Sequence, residues 1–405
     1  MSGNAGQGNT DGEAASGSPW RRIEAGVAAL VLVLALAGCG GAGPRGGTPA
    51  AVQPPPVCQA DVAPPFKPET LLGRASLQGA LAPALSGRLQ GAFDLAVSRL
   101  PASSMSAAVA LPGQGSWSGA QGSAEPLYAW ASAGKQAIAA VVLQLADEGR
   151  LSLSDTLARR LPDAAKLPNA ERITIAQLLV HTSGLYSANE VRAAQGMRGP
   201  YTQQEELDIL ARHGALFPPG ACWRYSNSGY RLLGAIIARV TGRPWQDEIQ
   251  ARVIDRLGLR HMRVVTDAAS LVGVAPPSTA DGSPALDLAE PGAAGALLAS
   301  AADMVRFEQA LLDGELLSPA SLQAMLGETR RGFQPGMYYG LGTMVYDIPD
   351  RGGRLRWLGH SGGGPGISAV VAYDIDRRAF VAAVVNGGGD AHAVANLLLR
   401  ALDAR

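Results

Sequence analysis

Ala131-Ser132-Ala133-Gly134-Lys135-Gln136-Ala137-Ile138 opens the stretch on which the fold turns. From Ala131 the text is alanine-rich, and Ile138, Val141, Val142 and Leu145 recur at i, i+3, i+4 and i+7 before Gly149. That period predicts a helix with one apolar face, stopped by the glycine. Ser132 and Lys135 stand three residues apart at its start, so a hydroxyl and an ammonium leave one face a turn apart. A serine hydroxyl is unreactive until a base takes its proton, and a lysine buried near other cations has a lowered pKa and serves as one. At a helix start the Ser132 N–H also points outward, where it helps to bind an oxyanion. Read alone, Ser-x-x-Lys is a weak signal, more often a helix cap followed by a solvated lysine. Only Lys67, Lys135 and Lys166 are lysines among 34 basic residues, so each carries more information than usual.

Two further clusters carry chemistry. Tyr225-Ser226-Asn227 precedes a helical pattern (Leu232, Leu233, Ile236, Ile237 and Val240, stopped by Gly242) and follows Pro218-Pro219-Gly220. A tyrosine beside Ser132 relays a proton, and an asparagine amide holds both Lys135 and a substrate carbonyl; alone, Tyr-x-Asn is ordinary turn text. His360-Ser361-Gly362-Gly363 lies on or just after a strand run, Arg354 to Leu358. Its glycines let backbone approach a ligand, and the Gly363 N–H is placed to complete an oxyanion hole with that of Ser132. His360 binds a carboxylate if protonated and orients hydroxyls if neutral; the bland alternative is a packed histidine at a strand-end turn. Gly359 to Gly363 also spells Gly-x-Ser-x-Gly, but Gly364-Pro365-Gly366 and another strand run follow where a nucleophile elbow needs a helix.

Around these clusters the chain alternates character. Residues 69 to 99 carry a helical stripe of Leu77, Leu81, Leu85, Leu89 and Phe93; strand-like pieces follow at Ser106 to Leu111 and Trp117 to Gln121. Residues 150 to about 250 read as mainly helical, with a short helix opened by Thr174 and ended by His181-Thr182-Ser183-Gly184, where His181 is expected to cap the turn. Ile367 to Tyr373 and Ala379 to Val385 are strand runs, and Ala391 to Asp403 closes as a helix. Helix and strand at both ends with helices between them predict an α/β domain interrupted by an α domain: an α/β part over about 69–150 and 260–405, and an α part over about 150–260.

The 405 residues are 47% apolar and 17% charged, enough for a sizeable core. Acidic and basic residues number 34 each, which argues against nucleic-acid binding by phosphate neutralisation. Five scattered histidines form no metal-ligand spacing, and no glycine-rich segment ends in Gly-Lys-Ser/Thr, so neither metal nor cofactor is expected.

At the N-terminus Arg21-Arg22 precede the apolar run Ala25 to Leu36 and then Ala37-Gly38-Cys39. The run is short of the about 20 apolar residues of a bilayer span but fits the h-region of an export signal. It resembles a bacterial lipoprotein signal, which implies cleavage after residue 38, lipidation of Cys39 and, with Gly40 next, placement at the periplasmic face of the outer membrane. The mature chain would hold 32 basic and 31 acidic residues. Residues 39–68 are Gly/Pro-rich and read as a tether, so the folded domain spans 69–405. A disulfide between Cys58 and Cys222 is permitted in an oxidising envelope.

Taken together and in this order, the three clusters resemble the serine β-lactamase and penicillin-binding protein superfamily, in its class C β-lactamase, D,D-carboxypeptidase and esterase branch. Ile173 to Leu185 and Pro219 to Gly234 resemble the family's flanking text, and the likeness covers roughly residues 75 to 400. It implies an antiparallel sheet flanked by helices with an inserted all-α domain. It implies Ser132 as nucleophile, Lys135 and Tyr225 as the proton-transfer pair, and Asn227, His360, Ser361, Gly362 and Gly363 as substrate-binding positions. Class C enzymes carry lysine where this chain has His360, which lowers the expectation of β-lactam turnover. The expected enzyme is an envelope serine hydrolase, a monomer held to the membrane by its lipid, opening a small-molecule ester, amide or peptidoglycan-like substrate through an acyl-enzyme. A class C-like β-lactamase and a non-catalytic penicillin- or peptidoglycan-binding scaffold are the alternatives.

Overall fold

The computed structural model describes residues 56–58, 77, 79–122, 127–350 and 353–403. The signal segment, Cys39 and the tether apart from 56–58 lie outside the described residues. Helix α1 (Pro83–Arg99) leads into strands β1 (Ala102–Leu111) and β2 (Gly115–Ala120), and β3 (Tyr128–Ala129) into a 3-10 turn, Ala131–Gly134, and helix α2 (Lys135–Asp147). Helices α3 (Leu157–Arg160), α4 (Ile175–Leu179), α5 (Ala188–Ala194), α6 (Gln203–His213), α7 (Asn227–Thr241) and α8 (Trp245–Ile249) follow. Then come β4 (Met262–Val264), β5 (Leu297–Ala299), α9 (Ala301–Leu312), α10 (Pro319–Gly327), β6 (Arg330–Arg331), β7 (Met337–Tyr339), β8 (Met344–Asp350), β9 (Gly353–Gly364), β10 (Ile367–Asp374), β11 (Ala379–Gly387) and α11 (Ala391–Asp403).

Eight strands form one antiparallel sheet in the order β2-β1-β11-β10-β9-β8-β7-β6. Both of its faces are covered, which is why its central strands read as continuous apolar runs instead of alternating. Along β10, Ala369, Val371 and Tyr373 join the core shared with α2 and the helical insertion, while Val370 and Ala372 face the core under α1 and α11. A second small sheet, β3-β5-β4, braces the nucleophile turn from below: Trp130 N–H donates to Leu297 O at 3.0 Å and its indole to Ala299 O at 3.0 Å.

Several expectations shift. The stripe over 69–99 does not make one helix: α1 starts at Pro83, and Leu77 and Leu81 pack against the core from irregular backbone. Pro83 sits at the first helical position, where its missing N–H costs nothing. Helix α2 buries every residue from Lys135 to Leu145, not one face, and its small alanines let neighbours close in on all sides. The run expected over Arg354 to Leu358 continues as β9 to Gly364, so His360 to Gly363 lie within a strand. Strands β6, β7 and β8 and the small sheet carry no sequence pattern that foretold them.

Cys58 and Cys222 form a disulfide. Beside it Val57 and Trp223 exchange two backbone hydrogen bonds, of 2.9 and 2.8 Å, so residues 57–58, expected to belong to the tether, are instead stitched to the strand-like segment that runs into Tyr225.

Candidate active site

The 3-10 turn is what separates Ser132 from the helix it precedes. Ala131 takes a left-handed conformation (φ 44°), unusual for a residue with a Cβ, and this turns Ser132 out at the head of α2. Lys135 is the first α-helical residue and has no solvent exposure. Its Nζ lies 3.1 Å from Ser132 Oγ, 2.7 Å from Asn227 Oδ1 and 2.6 Å from the Ala294 carbonyl. The Tyr225 and Tyr230 rings flank it, with centroids 4.9 and 5.4 Å away. Burial holds Lys135 well below the usual lysine range.

The contact set decides where a neutral Lys135 would aim its lone pair. An amine has two N–H donors and one lone pair. Asn227 Oδ1 and Ala294 O only accept, so they take both donors, and the remaining direction faces the one partner able to donate, the Ser132 hydroxyl. Asn227 is fixed in turn: its Nδ2 donates to Asn189 Oδ1 at 3.2 Å and its N–H to Ser187 Oγ at 2.8 Å.

Tyr225 enters from the segment before α7. Burial pushes its phenol well above the ordinary tyrosine value, and the Ser132 hydroxyl opposes that shift, although the two hydroxyls do not meet at full hydrogen-bond geometry. His181, expected to cap its own turn, instead serves this segment. Its Nδ1 accepts the Ser226 N–H at 3.2 Å, and its ring packs on Tyr225 with centroids 4.2 Å apart. Burial, then Lys135 and His360, hold His181 well below the usual histidine range, so it is a neutral acceptor. Glu190, 3.7 Å from Arg224, is raised by burial to about 7.

The strand side divides the four positions expected to bind substrate. His360 and Ser361 are buried, and Gly363 is exposed. His360 Nδ1 donates to Ser361 O at 2.5 Å, since a carbonyl only accepts, which leaves Nε2 to accept from the Tyr339 hydroxyl at 2.7 Å. Burial and the nearby Lys135 lower His360 to about 3, so the protonated, carboxylate-binding form is not the form present near neutrality. The Ser361 hydroxyl turns to the sulfur of Met344, 3.4 Å away, because successive side chains of β9 alternate between faces. Gly362 abuts the nucleophile turn: a Cβ there would lie 2.0 Å from Trp130 O and 3.2 Å from Ser132 N, so only glycine admits this approach.

Ser132, Lys135, Tyr225 and Asn227 thus converge, with β9 at Gly362 pressed against the Ser132 backbone. The Ala294 carbonyl, Asn189 and His181 complete the arrangement and were not singled out for it from sequence. A backbone carbonyl has no residue-type signature, and only the His181-Thr182-Ser183-Gly184 text marked the neighbourhood.

Comparison with known proteins agrees with this geometry. The chain is 32% identical over 221 residues to the Bacillus subtilis (strain 168) relative described as penicillin-binding protein PbpX, with 53% of this chain and 52% of the relative covered. It is 32% identical over 202 residues to Esterase EstB of Burkholderia gladioli, with 44% and 51% covered. The chain therefore spans about half the length of these curated relatives. The crystal structure of D-amino acid amidase from Ochrobactrum anthropi SV3 complexed with D-phenylalanine superposes with a TM-score of 0.69 at 26% identity, covering 79% of this chain and 99% of that one. The Beta-lactamase family profile matches residues 93–405, from within α1 through all of the site to the C-terminus, and the chain belongs to the beta-lactamase family.

Proposed function

We propose that the protein is a serine hydrolase that opens an ester or an amide, of the esterase or D-amino-acid peptidase type, through an acyl-enzyme on Ser132. The observation that carries this is the buried Lys135 Nζ, 3.1 Å from Ser132 Oγ with its two donors committed elsewhere. Ser132 Oγ attacks the acyl carbon as its proton passes to Lys135 Nζ, and the oxyanion is held by the N–H groups of Ser132 and Gly363. Tyr225, a neutral phenol at rest, gives its proton to the leaving alkoxide or amine and regains one from Lys135. Water then opens the acyl-enzyme. Of Tyr225 and His360 in that step, the structure favours Tyr225 as a relay that takes a proton from the water as it passes its own to the free lone pair of Lys135, which then reprotonates Ser132 Oγ; the only lone pair of His360 is taken by Tyr339. The neutral His360 also leaves that strand position without the cation that a β-lactam carboxylate seeks, which favours the ester or amide reading over β-lactamase action. The esterase and the D-amino acid amidase among its relatives support the same substrate classes.

The test is intact-protein mass spectrometry of the purified chain with a p-nitrophenyl ester, a D-amino-acid anilide and a penicillin, repeated with Ser132→Ala. Acyl adducts or released product that vanish in the variant are expected; turnover retained by Ser132→Ala overturns the reading.

The same proposal makes the protein exported and lipid-anchored through Cys39, on the strength of the Ala25 to Cys39 segment and of the Cys58–Cys222 disulfide, which suits an oxidising compartment. Cys39→Ser is expected to move the protein from the membrane to the soluble fraction, and a variant still pelleting with membranes would sink the anchor.

A further inference from the structure

The lone pair of Lys135 stays on target only while Asn227 Oδ1 and the Ala294 carbonyl keep their places, and one side chain ties the two together. Arg231 follows Asn227 by one turn on α7, with its guanidinium engaged on three sides. Nη1 donates to Glu290 O at 3.0 Å, Nη2 to Tyr201 O at 2.8 Å, and Nε to the buried carboxylate of Glu206. Its guanidinium carbon rests 3.9 Å from the centroid of the Tyr201 ring. The backbone of residues 290–294 approaches so closely that a Cβ on Gly292, at φ 52°, would lie 2.7 Å from Nη1. Glu290 adds a second fastening by accepting the Gly199 N–H at 2.9 Å. Two residues beyond Gly292 stands the Ala294 carbonyl, 2.6 Å from Lys135 Nζ.

We propose that Arg231 is a positioning residue for Lys135: by fastening residues 290–294 to α7 it fixes the spacing between Asn227 Oδ1 and Ala294 O, and so the direction of the Lys135 lone pair. The inference rests on the acyl-enzyme reading above. A buried Arg–Glu pair contributes little net stability compared with well-packed apolar residues, so stability alone is a poor reason for this one. What the planar fork supplies is geometry, with three donors in fixed directions, and a lysine at this position cannot reproduce it.

The readout is the pH profile of kcat/KM. The ionisable groups facing Lys135 are Tyr225 and Tyr230, which flank its ammonium, and His181 and His360, which feel its charge; Arg231 itself bonds Glu206, Glu290 and Tyr201. A carbonyl acceptor stabilises the ammonium more than the amine, so displacing Ala294 O makes Lys135 easier to deprotonate. Arg231→Lys is therefore expected to lower kcat by about tenfold with KM within about twofold, and to move the acid limb to lower pH by about half a unit. The control is Arg252→Lys, at another Arg–Glu pair. Arg252 Nε donates to Glu248 at 2.5 Å and Nη1 to Glu148, apart from residues 290–294, and the substitution is expected to leave the limb in place. An unshifted limb in Arg231→Lys, or an equal shift in Arg252→Lys, overturns the proposal. Should Arg231→Lys fail to fold, Glu206→Gln decides: it keeps the volume and loosens the guanidinium, so a shift in the same direction supports the clamp and a wild-type limb overturns it. The two readings fail separately, since turnover by Ser132→Ala removes both, whereas an inert Ser132→Ala with a wild-type limb in Arg231→Lys removes the clamp alone.

Discussion

On the helix side of the site Lys135 faces three oxygens; on the strand side His360 is closed between a phenol and a carbonyl. Both bases are fully buried, and burial lowers both. They differ in what their partners leave over. The partners of Lys135 consume its donors and direct its lone pair at a hydroxyl that needs a base. The partners of His360 consume donor and lone pair alike, so the imidazole braces Tyr339 and has nothing left for a proton in flight. Burial by itself therefore says little about which base works; the donor and acceptor count around it decides.

The largest expected effect comes from testing that difference directly. Lys135→Arg keeps a cation that does not deprotonate, and ester turnover should fall by about a thousandfold or more, whereas His360→Gln, which keeps an acceptor for Tyr339, should cost about tenfold or less. Comparable losses in kcat/KM would erase the distinction between the two sides.

Stability against pH sharpens the same comparison. The folded-state pKa of His360, about 3, lies below the unfolded value near 6.5, so the unfolded chain takes up a proton that the fold refuses. Stability is then complete above about pH 6.5 and falls as the pH drops toward 3, by on the order of 4 kcal/mol for this group, and His181 adds to the same slope. Denaturant melts from pH 7 to pH 4 should show a flatter slope in His360→Gln; an unchanged slope would mean that His360 is protonated in the fold. A smaller effect of opposite sign belongs to Glu190. Its folded value of about 7 exceeds the unfolded one, so stability is lost as the pH rises from about 4.5 to 7, and Glu190→Gln should remove that loss, by about 1–3 kcal/mol at pH 8.

How much of this could be read beforehand depends on what kind of atom does the work. Ser132, Lys135, Tyr225 and Asn227 carry side-chain chemistry, and their spacing along predicted helices was visible. Helix α2 was legible from Ile138, Val141, Val142 and Leu145, and β10 and β11 from unbroken apolar runs. Strands β7 and β8 were not, because Met337–Tyr339 is too short for a period and Pro349 interrupts Met344–Asp350. The role of Ala294 rests on a backbone carbonyl, which leaves no mark in a single sequence; Gly362 was marked by its missing Cβ, but the backbone it approaches is the nucleophile turn, at Trp130 O and Ser132 N. The side-chain alternation that turns Ser361 away from the nucleophile was hidden for a related reason: the strand was read as ending at Leu358, and alternation applies only where a strand continues.

The stitch between Val57-Cys58 and Cys222-Trp223 also sets a length. Whatever anchors the N-terminal side, the chain is made fast three residues before Tyr225. With a lipid on Cys39, the chain from there to Cys58 extends no more than about 65 Å. The disulfide-pinned segment that leads into Tyr225 would then stay within that distance of the membrane, and substrates would be selected by where they are as well as by what they are.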